Sequence, residues 1–321
     1  MSDVHKPLVS IVCNAYNHEK YIGDALSGFV MQKTSFPYEI LVHDDASADN
    51  TASVIRRYEK QYPELIKPIY QTENQYSKRA RSVSELQFAR ARGKYIALCE
   101  GDDYWTDPLK LQKQADALES HPEVDICAHA ALSVRADTKK KIGKVMPAAA
   151  DCILPAESVI AGGGKYVATS SIMFRRTIND NIPDFRKYLW LDYTLQIQGA
   201  LRGGMMYLGG CMSCYRKDAE ASWSVRVCAD KRLLAAHYEQ ICEMLKILDK
   251  DTGGQYHGVI SKTIKQTRFK ILEIKKEYKT LFQKEYRDVF SSLAPFHKLK
   301  ILVKYSRCVL NKKHGGGGYD K

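Results

Sequence analysis

The 321-residue sequence lacks the glycine-rich loops that cradle phosphates in the two commonest nucleotide-binding motifs. No Gly-x-Gly-x-x-Gly follows the first apolar segment, and no Gly-x-x-x-x-Gly-Lys-[Ser/Thr] occurs anywhere. A dinucleotide-binding site and a P-loop both need those glycines, so both are excluded. A secretory signal and an apolar run long enough to span a bilayer are also missing, and we therefore expect a cytoplasmic protein.

The nine cysteines form no recognisable framework, and their number is odd. Cys211 and Cys214 make a single Cys-x-x-Cys with neither a second pair nor a histidine at zinc spacing. Disulfide-stapled and zinc-binding classes are therefore excluded. Reduced thiols are typical of cytoplasmic proteins.

Strand-like and helix-like segments alternate through residues 1–105. Short apolar, β-branched runs predict strands at 8–13, 38–42, 65–70 and 94–99. Apolar residues at helical spacing predict helices at 21–31, 51–62 and 83–92. This alternation indicates βαβ units and a mainly parallel sheet flanked by helices, in the Rossmann-like manner of an α/β protein.

Polar clusters follow three of the predicted strands, at residues 14–17, 44–47 and 100–103. Ligands of parallel sheets bind at the carboxyl ends of the strands, so the clusters predict one shared site. In the last cluster Asp102 and Asp103 adjoin Glu100, and such carboxylates suit a hard divalent cation that also binds phosphate. The alternative for this cluster alone is a solvated acidic turn. Because no glycine loop is present, a metal at Asp102 and Asp103 would neutralise the phosphates.

Segments 9–17, 39–51 and 93–103 resemble, in order and spacing, the GT-A fold of glycosyltransferase family 2. Weaker similarity continues to about Trp223, and the chain is most similar to the bacterial branch that builds capsular, lipopolysaccharide or other surface polysaccharides. The resemblance implies an inverting, metal-dependent enzyme that uses a nucleotide-diphosphate sugar. It also implies binding roles for Asn14, Ala15, Tyr16 and Asn17.

Within that segment the resemblance places Asn14 and Tyr16 in the pocket for the base. It implies that Asp45 accepts a hydrogen bond from uracil, that Asp102 contacts ribose or sugar, and that Asp103 ligates Mn or Mg. Many relatives carry aspartate where this chain has Glu100, so which carboxylates touch the metal stays open.

Glycosyl transfer also needs a base that deprotonates the acceptor hydroxyl on the face opposite the leaving group. Asp192 is the candidate, because it lies between the aromatic residues Tyr188 and Trp190 and a predicted helix at 193–201. The family places its base in an acidic motif, usually Glu-Asp, at this position, where this chain has Leu191-Asp192. The alternative is that Asp192 only caps the helix.

Residues 106–225 are predicted to form the acceptor half of a catalytic domain that spans 1–225. A mobile loop is expected at the glycines 162–164, and a short strand at 205–208 ending at Gly209-Gly210. Related enzymes order a loop over the donor near Arg216 and Trp223. Arg216 is therefore a candidate for the diphosphate and Trp223 for stacking on sugar, while a surface ion pair is the alternative for Arg216.

The positive charge is concentrated in the last third of the chain. Residues 1–225 hold 28 Lys and Arg against 27 Asp and Glu, a net charge of +1, whereas residues 226–321 hold 21 against 10, a net charge of +11. We expect a basic helical region at 226–313 and a disordered tail at 314–321. Nucleic-acid binding is not expected, because stacking aromatics are few there and no recognised motif is present.

The last predicted helix, 296–311, is amphipathic. On a helical wheel Lys300, Lys304 and Arg307 fall on one side, Ile301 is a misfit, and the other side holds Leu299, Leu302, Val303 and Leu310. This pattern suits an anionic membrane at the inner face of the cell membrane. The alternatives are packing on the catalytic domain or on a second copy in a homodimer.

Together these features predict a hexosyltransferase-type enzyme that transfers sugar from a UDP-sugar to a hydroxyl of a saccharide acceptor, itself lipid-linked. The partners are then the nucleotide-sugar donor, the acceptor and a Mn or Mg ion. A nucleotide-sugar pyrophosphorylase and a non-catalytic nucleotide-sugar binder are the rival functions. A pyrophosphorylase requires a glycine-rich basic loop after the first strand, which residues 14–17 are not.

Overall fold

The computed structural model describes residues 6–220 and 222–314, without the side chains of 80–82, 223, 224 and 307–314. The predicted roles of the Trp223, Arg307 and Leu310 side chains, and residues 315–321 of the predicted tail, lie outside that description. The chain divides into two compact units, Met1–Arg226 and Val227–Lys321.

The first half of the unit Met1–Arg226 is a parallel sheet with helices between its strands. Its elements are β1 Val9–Ala15, α1 Ile22–Val30, β2 Tyr38–Asp44, α2 Thr51–Gln61, β3 Ile66–Tyr70, α3 Gln75–Lys78, α4 Ala80–Arg90 and β4 Tyr95–Leu98. The strands lie in the order β3-β2-β1-β4, all parallel. The apolar runs of the sequence become strands that are buried on both faces, as helices covering a parallel sheet require.

The second half extends the same sheet with mixed pairing. Its elements are β5 Tyr104–Trp105, α5 Lys110–Ser120, β6 Ile126–Arg135, β7 Lys141–Val145, β8 Cys152–Leu154, α6 Ala156–Gly162, β9 Met173–Arg175, α7 Asp184–Tyr188, α8 Asp192–Ala200 and β10 Met205–Lys217. The order continues β4-β9-β6-β10-β5, with β7 beside β6 and β8 beside β10. β9 is antiparallel to both β4 and β6, whereas β6 and β10 are parallel. The predicted GT-A type of α/β fold is confirmed.

Two local predictions about glycines were wrong. Gly209 and Gly210 do not end a strand, because β10 runs through them to Lys217 with irregular register between Leu208 and Ser213. The glycines 162–164 were expected to form a mobile loop, but they end α6 and begin a 3₁₀ turn, with Gly163 at a φ of 67°. Glycine takes that left-handed conformation without a steric penalty, so it can join the two elements directly.

The C-terminal unit is helical among its described residues. Its elements are α9 Trp223–Ala229, which begins in the first unit, then α10 Lys231–Asp251, α11 His257–Lys275, α12 Tyr278–Leu281, α13 Arg287–Ser292 and α14 Pro295–His314. Helix α11 ends where Lys276 takes a left-handed φ of 60°. Phe269, Leu281 and Ile301 form the centre of an apolar cluster within this unit. None of the helices in the described part of the chain combines the length and apolarity that crossing a bilayer requires.

Candidate active site

The loops after β1, β2 and β4 are joined at their first residues. Asn14 and Ala15 end β1, and their backbone carbonyls accept hydrogen bonds from Gly101 N and Asp45 N, each at 2.9 Å. The carboxyl ends of three parallel strands thus form one rim, as the positions of the polar clusters predicted. The first third of the chain thereby builds a single concave polar edge.

Two residues of this rim have left-handed backbone conformations. Asn17 has a φ of 56° and Ala46 a φ of 61°. Asn17 tolerates this region, but alanine pays a penalty of about 1–2 kcal/mol there. The loops compensate by bonding each other: Asn17 N donates to Ser47 Oγ at 2.9 Å, and Ala48 N donates to Asn17 Oδ1 at 2.9 Å. Beside them Tyr16 is 38% exposed, so its ring is available to a ligand.

Asp45 is buried at this rim and is already engaged by the protein. Its carboxylate accepts from Gln75 N at 2.7 Å and from Tyr76 N at 3.0 Å, and so fixes the start of α3. A carboxylate has about four lone-pair positions, which leaves room for a further donor such as a uracil N–H. The contact with uracil therefore stays a prediction, and Asp45 has the additional task of bringing Tyr76 to the site.

Residues 100–103 form the turn that follows β4, which we call the acidic turn. Glu100 and Asp102 lie on its open side. Both are partly exposed, and Glu100 Oε1 accepts a hydrogen bond of 3.4 Å from Asn14 Nδ2. Burial raises the pKa of Glu100 to about 8, and the negative charges of Asp192 and Asp102 add to that effect. Asn14 Oδ1 is buried without a partner. The site therefore holds more negative charge and more oxygen acceptors than the protein satisfies.

Asp103, the last residue of the acidic turn, is buried, with 2% of its surface exposed. Its Oδ1 accepts from Arg216 N at 2.8 Å, and the Ser170 hydroxyl is a second donor. Burial and the charge of Asp102 raise the pKa of Asp103 well above its ordinary value, and the Arg216 and Ser170 contacts oppose them. Asp103 was predicted as the metal ligand, but this geometry favours a supporting role, with Asp102 and Glu100 as the carboxylates that face a ligand.

Arg216 does not reach the open side of the site. Its guanidinium is buried, pairs with Asp24, donates to the Asp102 carbonyl at 2.7 Å and stacks on the Tyr104 ring at 4.4 Å. The prediction that Arg216 contacts a diphosphate is therefore replaced by a positioning role. The partner could not be read from the sequence, because Asp24 lies 192 positions away.

The carboxylate oxygens of the acidic turn suit a hard divalent cation that is also bound by a substrate phosphate. Among the described residues no group of three or more His, Cys, Asp or Glu side chains is arranged to hold a metal. Glu100 and Asp102 nevertheless supply carboxylate oxygens. Mg²⁺ commonly binds through one or two carboxylates and completes its shell with substrate phosphate and water. The residues therefore fit a metal that arrives with a diphosphate, rather than a cage made by protein alone.

Asp192 is the first residue of α8 and is exposed as a whole residue, although protein atoms surround its carboxyl group. The Thr169 hydroxyl donates a hydrogen bond to Asp192 Oδ2. The residue at the helix cap is Leu191, so the alternative in which Asp192 is the cap is not what the structure shows. The protein atoms crowded around Asp192 raise its pKa, and the Thr169 bond partly offsets this. Because its charge also acts on Glu100, Asp192 lies within electrostatic reach of the acidic turn.

A 3₁₀ turn, Thr169–Ser171, links the two sides of the site. Thr169 holds Asp192, whereas Ser170 contacts Asp103 and also lies 3.2 Å, Oγ to Oγ, from Ser213 of β10. The Ser170 carbonyl accepts from Trp105 Nε1 at 2.8 Å. We name this segment the linking turn. The linking turn fixes Asp192, the candidate base, relative to the carboxylates of the acidic turn.

Sequence reasoning missed four residues of this site: Tyr76, Thr169, Ser170 and His18. Burial raises the pKa of Tyr76, Arg226 opposes the rise, and the charges of Glu100 and Asp192 add to it, so the phenol lies near both carboxylates. His18 is 8% exposed and supports the turn from below; a Cβ on Gly101 would approach its Nδ1 to 2.9 Å. Only His18 had a signal in sequence, since it directly follows the polar cluster 14–17.

Known proteins resemble this chain in sequence and in fold. A Mycobacterium tuberculosis protein is 38% identical over 216 residues, 67% of this chain and 60% of its own length. The chain thus spans about three fifths of the length of the curated relatives that it matches first. The Escherichia coli UDP-Glc:alpha-D-GlcNAc-diphosphoundecaprenol beta-1,3-glucosyltransferase WfgD is 33% identical over 106 residues, 33% of this chain and 39% of the relative.

The crystal structure of S. aureus TarS in complex with UDP-GlcNAc covers 92% of this chain and 79% of its own, with a TM-score of 0.58 and 15% identity. Identity this low shows the fold alone. The sequence profile of Glycosyl transferase family 2 matches residues 10–222, which hold every element that forms the site. This chain is therefore a member of glycosyl transferase family 2.

Proposed function

We propose that the protein is an inverting glycosyltransferase that moves a sugar from a UDP-sugar to a hydroxyl of a saccharide acceptor in surface polysaccharide synthesis. One observation carries the proposal: the exposed residue Asp192 is held by Thr169, and the next residue, Ser170, contacts Asp103 of the acidic turn. A candidate base and a candidate diphosphate site thus share one space.

The rim formed by β1 and β2 is the proposed nucleotide pocket. Asn14 and Tyr16 would contact the base from the β1 side, while Asp45 would accept from uracil with the lone pairs that α3 leaves unused. Asp102 is the proposed contact for ribose or sugar. Support comes from WfgD, which is named for the donor UDP-Glc, and from TarS, whose crystal structure contains UDP-GlcNAc.

The acidic turn would hold the metal together with the diphosphate. Glu100 and Asp102 supply the protein ligands, and a bound Mn or Mg would neutralise the negative charge of the leaving diphosphate. Asp103 holds this turn in place from below through Arg216 N and Ser170. The solved complex of a Pyrobaculum calidifontis mannosyltransferase with GDP-Man and Mn²⁺, at a TM-score of 0.50, is compatible with a divalent ion in this fold.

In the proposed reaction, Asp192 accepts the proton of the acceptor hydroxyl. The acceptor oxygen then forms its bond to the anomeric carbon while the bond from that carbon to the diphosphate oxygen breaks, and UDP leaves. Attack from the face opposite the diphosphate inverts the configuration. The WfgD relative is named for a diphosphoundecaprenol acceptor, which supports a lipid-linked saccharide as the acceptor here.

The Asp192→Asn variant tests this proposal. The two side chains are nearly isosteric, so UDP affinity should stay within about threefold, while transfer should fall by about 10²-fold or more, as expected for loss of a general base. Calorimetry with UDP gives the affinity. Release of UDP from a UDP-sugar, measured with a panel of saccharide acceptors, gives the rate.

Asp184→Asn is the matched control, because Asp184 begins the neighbouring helix α7 and pairs only with exposed Lys187 among described contacts. This variant should transfer sugar at the rate of the unaltered protein. Near-normal transfer by Asp192→Asn would place the base elsewhere. A product of retained configuration would contradict the inverting mechanism as a whole.

A further inference from the structure

Helix α14 packs inward through residues that the sequence pattern did not select. Ile301, the misfit of the helical wheel, has no exposed surface and belongs to the apolar cluster of the C-terminal unit, with Tyr305 packed against it. His297 and Lys304 lie on the same side and both contact Glu273 of α11. The inward face of α14 is therefore already occupied by its own unit.

The opposite face of α14 carries a row of large apolar side chains in contact with solvent. Phe296 is 79% exposed, Leu299 59%, Leu302 44% and Val303 42%. Their spacing of three, three and one places all four on one side of the helix. Single exposed apolar residues are ordinary, but four within eight positions of one helix mark an interaction surface. We call these four residues the outer row.

Charge distinguishes between the two candidate partners of the outer row, a second copy of the chain and a lipid surface. Helix α14 contains six Lys and Arg residues and no Asp or Glu, and residues 226–321 have a net charge of +11. A second copy docked on the same row would bring two such helices together, and like charges facing each other across an interface oppose association. An anionic lipid surface complements the same charge and accepts the apolar side chains.

We propose that α14 binds the surface of an anionic lipid bilayer, with the outer row at the boundary between headgroups and acyl chains and Lys300 against the lipid phosphates. A basic amphipathic helix lies in this plane when apolar burial and electrostatic attraction act together. Lys300 is exposed and borders the outer row on the helical wheel. Binding of this kind depends on salt, because each Lys or Arg near the surface contributes to the attraction.

Vesicle sedimentation with the full chain tests the proposal. Vesicles of phosphatidylglycerol mixed with phosphatidylcholine should bind the protein at low salt, and vesicles of phosphatidylcholine alone should bind it at least about tenfold more weakly. Leu299→Glu combined with Leu302→Glu should reduce binding to the anionic vesicles by about tenfold or more. Lys300→Gln alone should reduce it by about fivefold.

Ile142→Glu is the matched control, since Ile142 is 46% exposed but lies on β7 of the catalytic unit, and it should bind as the unaltered chain does. Phe296→Ser, at the most exposed position of the row, is the milder variant if the double variant folds poorly. Circular dichroism and UDP binding verify that each variant is folded.

Two results would overturn the inference. In the first, well-folded outer-row variants bind anionic vesicles as tightly as the unaltered chain. In the second, light scattering without lipid shows a dimer that these variants convert to a monomer while vesicle binding persists, which assigns the row to a second copy. Because vesicle binding is measured without turnover, failure here leaves the proposed transfer reaction untouched, and loss of transfer leaves this inference untouched.

Discussion

Carboxylates of similar chemistry have different environments in this site. Asp45 accepts two backbone N–H groups, Asp103 accepts Arg216 N and the Ser170 hydroxyl, and Asp192 accepts only the Thr169 hydroxyl among the described contacts. Glu100 has only a long bond from Asn14. Asp45 and Asp103 each have two protein donors that fix nearby segments, whereas Glu100 and Asp192 each have one and keep more capacity for ligands.

Thr169→Val removes the hydroxyl that bonds Asp192 while keeping the shape of the side chain. This bond lowers the pKa of Asp192, so its loss should raise that pKa further above the ordinary value. A general base works only when deprotonated, and the acidic limb of the kcat profile should therefore move to higher pH. The rate near neutral pH should fall by about tenfold, consistent with losing a hydrogen bond to a charged group. Steady-state kinetics across pH measure both effects.

Thr169→Ser is the control, because it keeps the hydroxyl and should restore both the pH profile and the rate. Glu100 and Tyr76 are the other titratable groups near Asp192, and neither is changed in these variants. UDP affinity should be unchanged in both. A rate loss without any shift of the acidic limb would show that Thr169 serves only packing.

At the scale of elements, helix α5 begins with a lysine, Lys110, whose side chain is buried. Lys110 has no exposed surface, donates to Gln114 Oε1 at 2.6 Å and lies 3.9 Å from the centre of the Trp105 ring. Burial lowers the pKa of Lys110 to about 7. The ammonium is held by one amide and one ring, and no carboxylate is among its described partners.

Lys110→Met should change how stability depends on pH. Above pH 7 the unfolded chain keeps the Lys110 proton while the folded chain releases it, so the free energy of unfolding gains a contribution that rises with pH by at most about 1.4 kcal/mol per unit. The variant lacks this contribution. Urea unfolding at pH 7.0 and 8.5 should therefore show a smaller rise for Lys110→Met than for the unaltered chain. Equal slopes would mean that Lys110 stays protonated in the fold.

The longer elements of residues 1–100 could be predicted, because each has a clear period and is bounded by a polar turn, whereas the four-residue helix α3 was missed. The short strands β5 and β8 could not be predicted, since two or three residues carry no period and their pairing partner is the distant strand β10. The continuation of β10 through two glycines depends on the partner strand β6. Local pattern thus predicted elements that form from their own sequence, while long-range pairing decided the others.

The residues of the site also differ in whether the sequence could predict them. Asp192 and the polar clusters stand at element ends, where sequence patterns place ligands, and they were found. Thr169 and Ser170 precede a three-residue strand and resemble any other polar residues in sequence, so only the fold distinguishes them. The burial of Arg216 depends on Asp24 in the first helix, a pairing that no local pattern indicates.

At the scale of the whole molecule, ligand binding should be visible as thermal stabilisation. UDP with Mn should raise the unfolding temperature, because a ligand at about 100 times its Kd stabilises a protein by about 2.7 kcal/mol. UDP with EDTA should give a much smaller shift, since its diphosphate would then meet the oxygens of Glu100 and Asp102 with no cation between them. Thermal-shift measurement on the full chain tests this directly.

Asp102→Asn should remove most of the Mn-dependent stabilisation. Asp137→Asn, which changes an exposed carboxylate between β6 and β7, should retain it. Equal stabilisation by UDP in EDTA and in Mn would refute a metal at the acidic turn, while leaving the nucleotide pocket itself in place.

Strand β10 carries attachments to both sides of the site. The N–H of Arg216 holds Asp103 on the donor side, and the hydroxyl of Ser213 contacts the linking turn that carries Thr169. A donor that shifts this strand also changes the position of the base offered to the acceptor. Thermodynamic reciprocity then requires that the acceptor change donor affinity by the same factor. If the proposed function holds, one strand can therefore couple the binding of the two substrates without any contact between the substrates themselves.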